Sequence, residues 1–167
     1  MQIEDIFPEH KEHIYQLAPE VRTIWGLQLM TGSVLVSIIL FVVDLLWLPV
    51  HLLFVGFPAA VTLFGGLLGA MLLPSLYYRR WRFLILESDI VIQRGIIVQT
   101  ITFVPLARVQ HIEISRSLWE RLFALATLVI FTAGTRKADV RIPGLDTSFA
   151  LSLRDYIRSR LTASDVL

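Results

Sequence analysis

In YYRRWRFLIL, residues 77–86, one long apolar run stops at two arginines and a second begins at once. If the second run crossed a bilayer it would need about 20 apolar residues, yet Glu87, Ser88 and Asp89 interrupt it after a few. Trp81 to Leu86 therefore reads as the opening strand of a folded domain. The run before Tyr77 reads as membrane helix, and the two arginines stand at the junction.

Upstream, Ile24 to Leu76 is a stretch of 53 residues in which Asp44 is the only formally charged side chain and His51 the one other titratable group. One helix of that length would reach about 80 Å, against a hydrocarbon core of roughly 30 Å. Two helices, near 24–47 and 51–76, fit instead. The turn falls at WLPVH, residues 47–51, where Pro49 ends a continuous helix and Trp47 suits the interfacial belt. Pro58 and Pro74 are expected to kink or end the second helix. An apolar content of 55% and a mean hydropathy of +0.67 agree with a membrane protein and exceed what a soluble domain of this length carries.

Charge divides the chain. Residues 1–23 hold five acidic and two basic side chains, whereas 77–167 hold thirteen basic and eight acidic ones. The first 23 residues lack the basic start of a signal peptide, so the helices read as retained spans. Arg79, Arg80 and Arg82 follow the second span directly, which by the positive-inside rule puts the C-terminal part, and with two spans both termini, in the cytoplasm. The chain divides on this reading into an N-terminal segment (1–23), a two-helix transmembrane hairpin (24–76) and a cytoplasmic domain (77–167). With no cysteine, disulfides and thiolate metal sites are excluded.

Downstream of Arg80 the pattern changes to short β-like runs: 81–86, 89–94, 96–104, 108–115, 127–132 and 138–142. Turn signals at Gly95 and in GTRKAD (134–139) separate them. SLWE, residues 117–120, has the capping-box form and predicts a short helix to about Ala124. Phe149, Leu153, Tyr156, Ile157 and Leu161 make one apolar stripe on a closing helix that starts near Asp146 or Thr147. The expected fold class is a membrane α-helical hairpin followed by a small antiparallel sandwich or barrel closed by a C-terminal amphipathic helix.

The stretch VPLARVQHIEISRSLWERLFALATLVIFTAG, residues 104–134, resembles the bacterial PH-like membrane proteins of the YdbS type. Pro105, Arg108, Val109 and Gln110 match the family's P-x-x-R-[IV]-Q; Arg121, Leu125 and Ala126 match most of R-x-x-G-L-A; Thr132, Ala133 and Gly134 match T-A-G. Ala124 stands where the family commonly has Gly, so a special backbone angle is not assumed there. The resemblance implies a PH-like partial barrel, a place in the bacterial cytoplasmic membrane and a non-enzymatic role. It also implies association with tolerance of membrane-active antimicrobial peptides, often beside a larger membrane protein of the same type.

Several residues stand out against this frame. Asp44 lies three residues before Trp47, near the outer interface, and is either a structural carboxylate or a contact for a partner or proton. Gly65, Gly66 and Gly69 let helix backbones approach, against the first span or another subunit. Arg108 and Gln110 are expected to share one strand face with Ile112 and Ile114, serving either local carbonyls or a partner. Arg79, Arg80 and Arg82 suit anionic headgroups. The turn ESD (87–89) is acidic and disfavours phosphoinositide recognition. Glu9, His10, Glu12 and His13 give too few ligands for a metal.

No catalytic motif, cofactor or metal site is legible, and no nucleic-acid partner is expected. The leading functional expectation is a scaffold or binding module that meets the bilayer and assembles with itself or with a larger membrane protein of the same family. The alternative is a small transport or channel subunit using Asp44 and His51.

Overall fold

A computed structural model describes residues 3–7, 9, 14–47, 56–133 and 139–164. The turn expected at 48–51, with His51, and the His10, Glu12 and His13 group lie outside these residues. The chain forms two compact units, one from residues 22–76 and the other from 1–21 together with 77–167.

The first unit is an antiparallel helix pair made by α2 (Val21–Trp47) and α3 (Phe57–Arg79). Both are long and apolar enough to cross a bilayer, and most of their large side chains face outward, Leu46 and Met71 being 76% and 77% exposed. A soluble core helix would bury such residues. The seam between the helices is made of small and polar groups. A Cβ on Gly66 would collide with Ser33, and one on Gly26 would sit 3.2 Å from the Ala70 carbonyl oxygen. That carbonyl lacks its usual helical donor because residue i+4 is Pro74. Ser37 donates its hydroxyl to the Ala59 carbonyl at 2.8 Å. Apolar bulk supplies little attraction between helices in lipid, so close backbones and interhelical hydrogen bonds hold such pairs. Pro58 occupies the second position of α3, where its missing N–H costs nothing.

The second unit joins two stretches of chain that flank the spans. It opens with the short helix α1 (Ile3–Ile6) and the two-residue strand β1 (Ile14–Tyr15). After the spans come β2 (Arg82–Ile85), β3 (Asp89–Arg94), β4 (Thr100–Pro105), a 3-10 turn (Leu106–Arg108), β5 (Val109–Ser115), α4 (Leu118–Leu122), β6 (Leu125–Thr132), β7 (Asp139–Asp146) and α5 (Thr147–Ser164). Two antiparallel sheets result, in the orders β1-β2-β3-β4 and β5-β6-β7.

The division expected at residue 23 therefore differs from the one found. Residues before α2 complete the same domain as residues after α3, with Ile14 opposite Leu84 and Tyr15 opposite Phe83. The cause is two-sided burial of the first sheet. Ile90, Val91, Ile92 and Gln93 are all buried, as a strand covered on both faces requires. One face packs Ile3 against Leu84 and Val91, with Phe7, Ile14 and Ile101 around them. The Ile3 N–H donates to the Gln93 side-chain oxygen at 2.8 Å. On the other face Phe149 of α5 meets Tyr15 and Phe83. Leu153 and Ile157 are buried along the expected stripe, but Tyr156 is exposed with the Arg160 guanidinium 5.4 Å from its ring centre.

The capping box at α4 forms as expected: Ser117 and Glu120 exchange backbone-to-side-chain hydrogen bonds of 2.8 and 3.3 Å. Ala124, just beyond that helix, takes the left-handed conformation at φ +54°, a special backbone angle that an alanine gave no ground to assume. Its carbonyl accepts from both the backbone N–H and the hydroxyl of Thr147, at 3.1 and 2.7 Å, so the bend after α4 anchors the start of α5. A Cβ in this region costs roughly 1–2 kcal/mol, and glycine gives back part of that as chain entropy. Ala124→Gly should therefore stabilise the domain by about 0.5–1 kcal/mol, measured as increased amide-exchange protection in β6 and α5.

Asp146 caps α5. The Ser148 hydroxyl and the backbone N–H groups of Ser148 and Phe149 hold its carboxyl below the ordinary carboxylate value. A depressed native pKa adds stability above the unfolded value, near ~4, and that stability is lost as pH falls through the lower native value. Protection in the first turn of α5 should thus hold from neutral pH to about 4 and decline below it. Asp146→Asn should remove this acid-side dependence.

Candidate binding surfaces

Arg79 ends α3, Arg80 occupies the following turn and Arg82 begins β2. Trp81 between them is buried. Its N–H donates to the Tyr78 carbonyl at 3.1 Å, and the Tyr78 hydroxyl donates to the Leu17 carbonyl at 3.1 Å. Helix thus becomes strand within two residues, on a footing braced by the N-terminal stretch. Arg79 and Arg80 are exposed, while Arg82 is half-buried opposite Gln93.

Asp44 is half-buried, and its carboxylate accepts the Gly56 N–H at 3.2 Å. A carboxylate at this place complements the N-terminal end of α3, which starts one residue later. Of the three helix glycines only Gly66 meets the other helix. Gly65 has open space where a Cβ would stand, and the nearest atom at Gly69 belongs to Leu73 of its own helix.

Arg108 lies outside the strand, so the face expected for it with Gln110, Ile112 and Ile114 is not shared by all four. Arg108 ends the 3-10 turn and is exposed, and its carbonyl accepts the Ala133 N–H at 2.9 Å. Gln110 is the extra residue of a bulge, since Val109 pairs with Thr132 and His111 with Phe131. One inserted residue reverses the alternation. His111 and Glu113, two residues apart beyond the bulge, share a face and approach to 3.1 Å.

The bulge turns Gln110 toward α5. There Gln110, His111, Ile112, Arg154, Arg158 and Leu161 line a cleft of about 380 Å³. Arg154 and Arg158 are one helical turn apart, so both project from the same flank of α5. Arg154 also donates to Asp155 at 2.9 and 2.7 Å. Alongside runs β5, an edge strand hydrogen-bonded only to β6 among the described residues. An edge strand next to guanidinium groups has the chemistry to receive an extended segment bearing carboxylates or phosphates. Gln110 was singled out by its sequence, but the two arginines were not. Their i, i+4 spacing was the available signal; what they face depends on the β5 bulge.

The bacterial PH domain family matches residues 29–161. The chain is similar to the UPF0699 transmembrane protein YdbS of Bacillus subtilis (strain 168), with 34% identity over 155 residues, 90% of this chain and 96% of that protein. Among solved structures it is similar to a DUF1696 family protein with a pleckstrin-homology domain from Shewanella loihica PV-4. There the TM-score is 0.40 and the identity 14%, over 50% of this chain and 73% of the other.

Proposed function

Because the chain belongs to the bacterial PH domain family, we propose that this membrane protein is a non-catalytic binding module that assembles with itself or with a larger membrane protein of the same type. The observation that carries this reading is the cleft between the β5 edge and α5. It is lined by Gln110, His111, Arg154 and Arg158, whose N–H groups suit an acidic segment.

The helix pair anchors the module in the cytoplasmic membrane, with Arg79, Arg80 and Arg82 at the inner leaflet and both termini in the cytoplasm. The physiological output is protection of the envelope against membrane-active peptides. Asp44 is engaged with Gly56, which favours the structural role for it over a transport pathway.

Intact-mass measurement of the full chain in lipid nanodiscs, extracted from its native membrane, tests this reading. Assemblies larger than a monomer are expected, and Arg154→Glu with Arg158→Glu should weaken them roughly tenfold. A strictly monomeric chain carrying no partner would overturn it.

A further inference from the structure

The β3–β4 hairpin ends in GIIVQ, residues 95–99, and its apolar side chains point away from the domain. Ile97 is 96% exposed, Val98 75% and Ile96 39%. Ile97 and Val98 bury little of themselves in the domain and Ile96 only part, and such contiguous apolar exposure at a tip marks an interaction site. Gly95 makes the tip tight: its φ is +109°, and a Cβ there would fall on the Val98 carbonyl oxygen.

Strand register decides which way the tip points. Arg82, the first residue of β2, pairs with Gln93, and Arg94 pairs with Thr100 as the last rung before the tip. The tip therefore extends past the end of β2 at which the chain arrives from α3. Tyr15, from which the chain runs on to α2, pairs with Phe83 at that same end. Both connections to the spans and the apolar tip thus share one end of the sheet, as do Arg80, Arg82 and Arg94. The other end carries the β2–β3 turn with Glu87, Ser88 and Asp89. One end is basic and apolar, the other acidic. This is the polarity of a surface that faces anionic headgroups and dips side chains into the acyl boundary.

We infer that Ile96, Ile97 and Val98 form a third membrane attachment of this chain, inserted into the bilayer interface beside the exits of the two spans. The occupant is lipid, not protein, because the tip shares the sheet end from which the chain leaves toward both spans and is flanked there by arginines. The inference rests on the two-span reading of α2 and α3. The attachment would hold the domain in one orientation on the bilayer and so fix the direction in which the β5–α5 cleft opens.

The absence of cysteine from the chain makes the test direct. Ile97→Cys and Ser88→Cys are made separately in the full chain, spin-labelled and reconstituted into vesicles of phosphatidylcholine with phosphatidylglycerol. Accessibility to dissolved oxygen and to a water-soluble nickel chelate is then measured. The label at 97 should be several-fold less accessible to nickel than the label at 88, and relatively richer in oxygen contact. Equal nickel accessibility at both sites would overturn the inference. So would a label at 97 shielded from both reagents and broadened by a neighbouring label, since that places the tip against a second copy. Failure of the chain to enter vesicles at all would instead reject the two-span reading.

Discussion

Gly144→Ala is expected to cost the domain about 2–4 kcal/mol, near the top of the range for a single methyl group. Two effects add. Gly144 has φ +63°, and an added Cβ would stand 2.5 and 2.7 Å from Cγ2 and Cβ of Val21. Neither can relax alone. Gly144 sits in a bulge of β7, where Pro143 and Gly144 together oppose the single residue Thr127 of β6. Val21 is buried at the start of α2, and the Ala18 N–H donates to the Gly144 carbonyl at 2.8 Å. The site is thus where the segment before the spans is fastened to the domain after them. Amide exchange of the full chain should show lost protection at residues 17–21 and along β7 together. A second substitution, Val21→Gly, should restore the part due to collision but not the part due to φ.

Ile3→Asp should cost roughly 3–4 kcal/mol. Ile3 is fully buried, and its N–H satisfies the buried Gln93 side chain. An aspartate there would place a carboxylate against Leu84 and Val91, with no partner charge in the described cluster. The chain has an escape: α1 can leave the sheet, which caps the cost at the free energy of its docking. The expected result is therefore specific. Residues 3–7 should exchange as unfolded chain and Leu84 and Val91 should become exposed, while β5, β6, β7 and α5 keep their protection. Ile3→Val, a loss of one methyl group, should cost only about 1 kcal/mol.

What the sequence made legible follows from the range of the interactions involved. Apolar runs long enough to cross a bilayer, the capping box at Ser117 and Glu120, and the short β-like runs bounded by polar or turn residues from β2 to β6 are all local signals, and they placed most elements within a few residues. The first sheet's edge strand escaped notice because Ile14–Tyr15 is two residues long within a charged stretch and acquires its partner only across both spans. The β7 strand runs on through Pro143 and Gly144, past residue 142 where the expected run ends. A bulge accommodates both, since proline needs no ladder bond there and glycine takes the positive φ. At the candidate site Gln110 was legible and Arg154 and Arg158 were not. A helix pattern reveals the buried stripe, but its flanks are given meaning by whatever packs beside them.

The membrane hairpin is inserted into the domain between its first and second strands, so that residues on both sides of it make one sheet. Ile14 and Leu84 are direct cross-strand partners, at a separation that a disulfide bridges. In this cysteine-free chain, Ile14→Cys with Leu84→Cys should oxidise within one molecule and close a covalent loop around both spans. Two thiols that stay freely reactive in the folded, membrane-embedded chain would show that β1 and β2 are not paired.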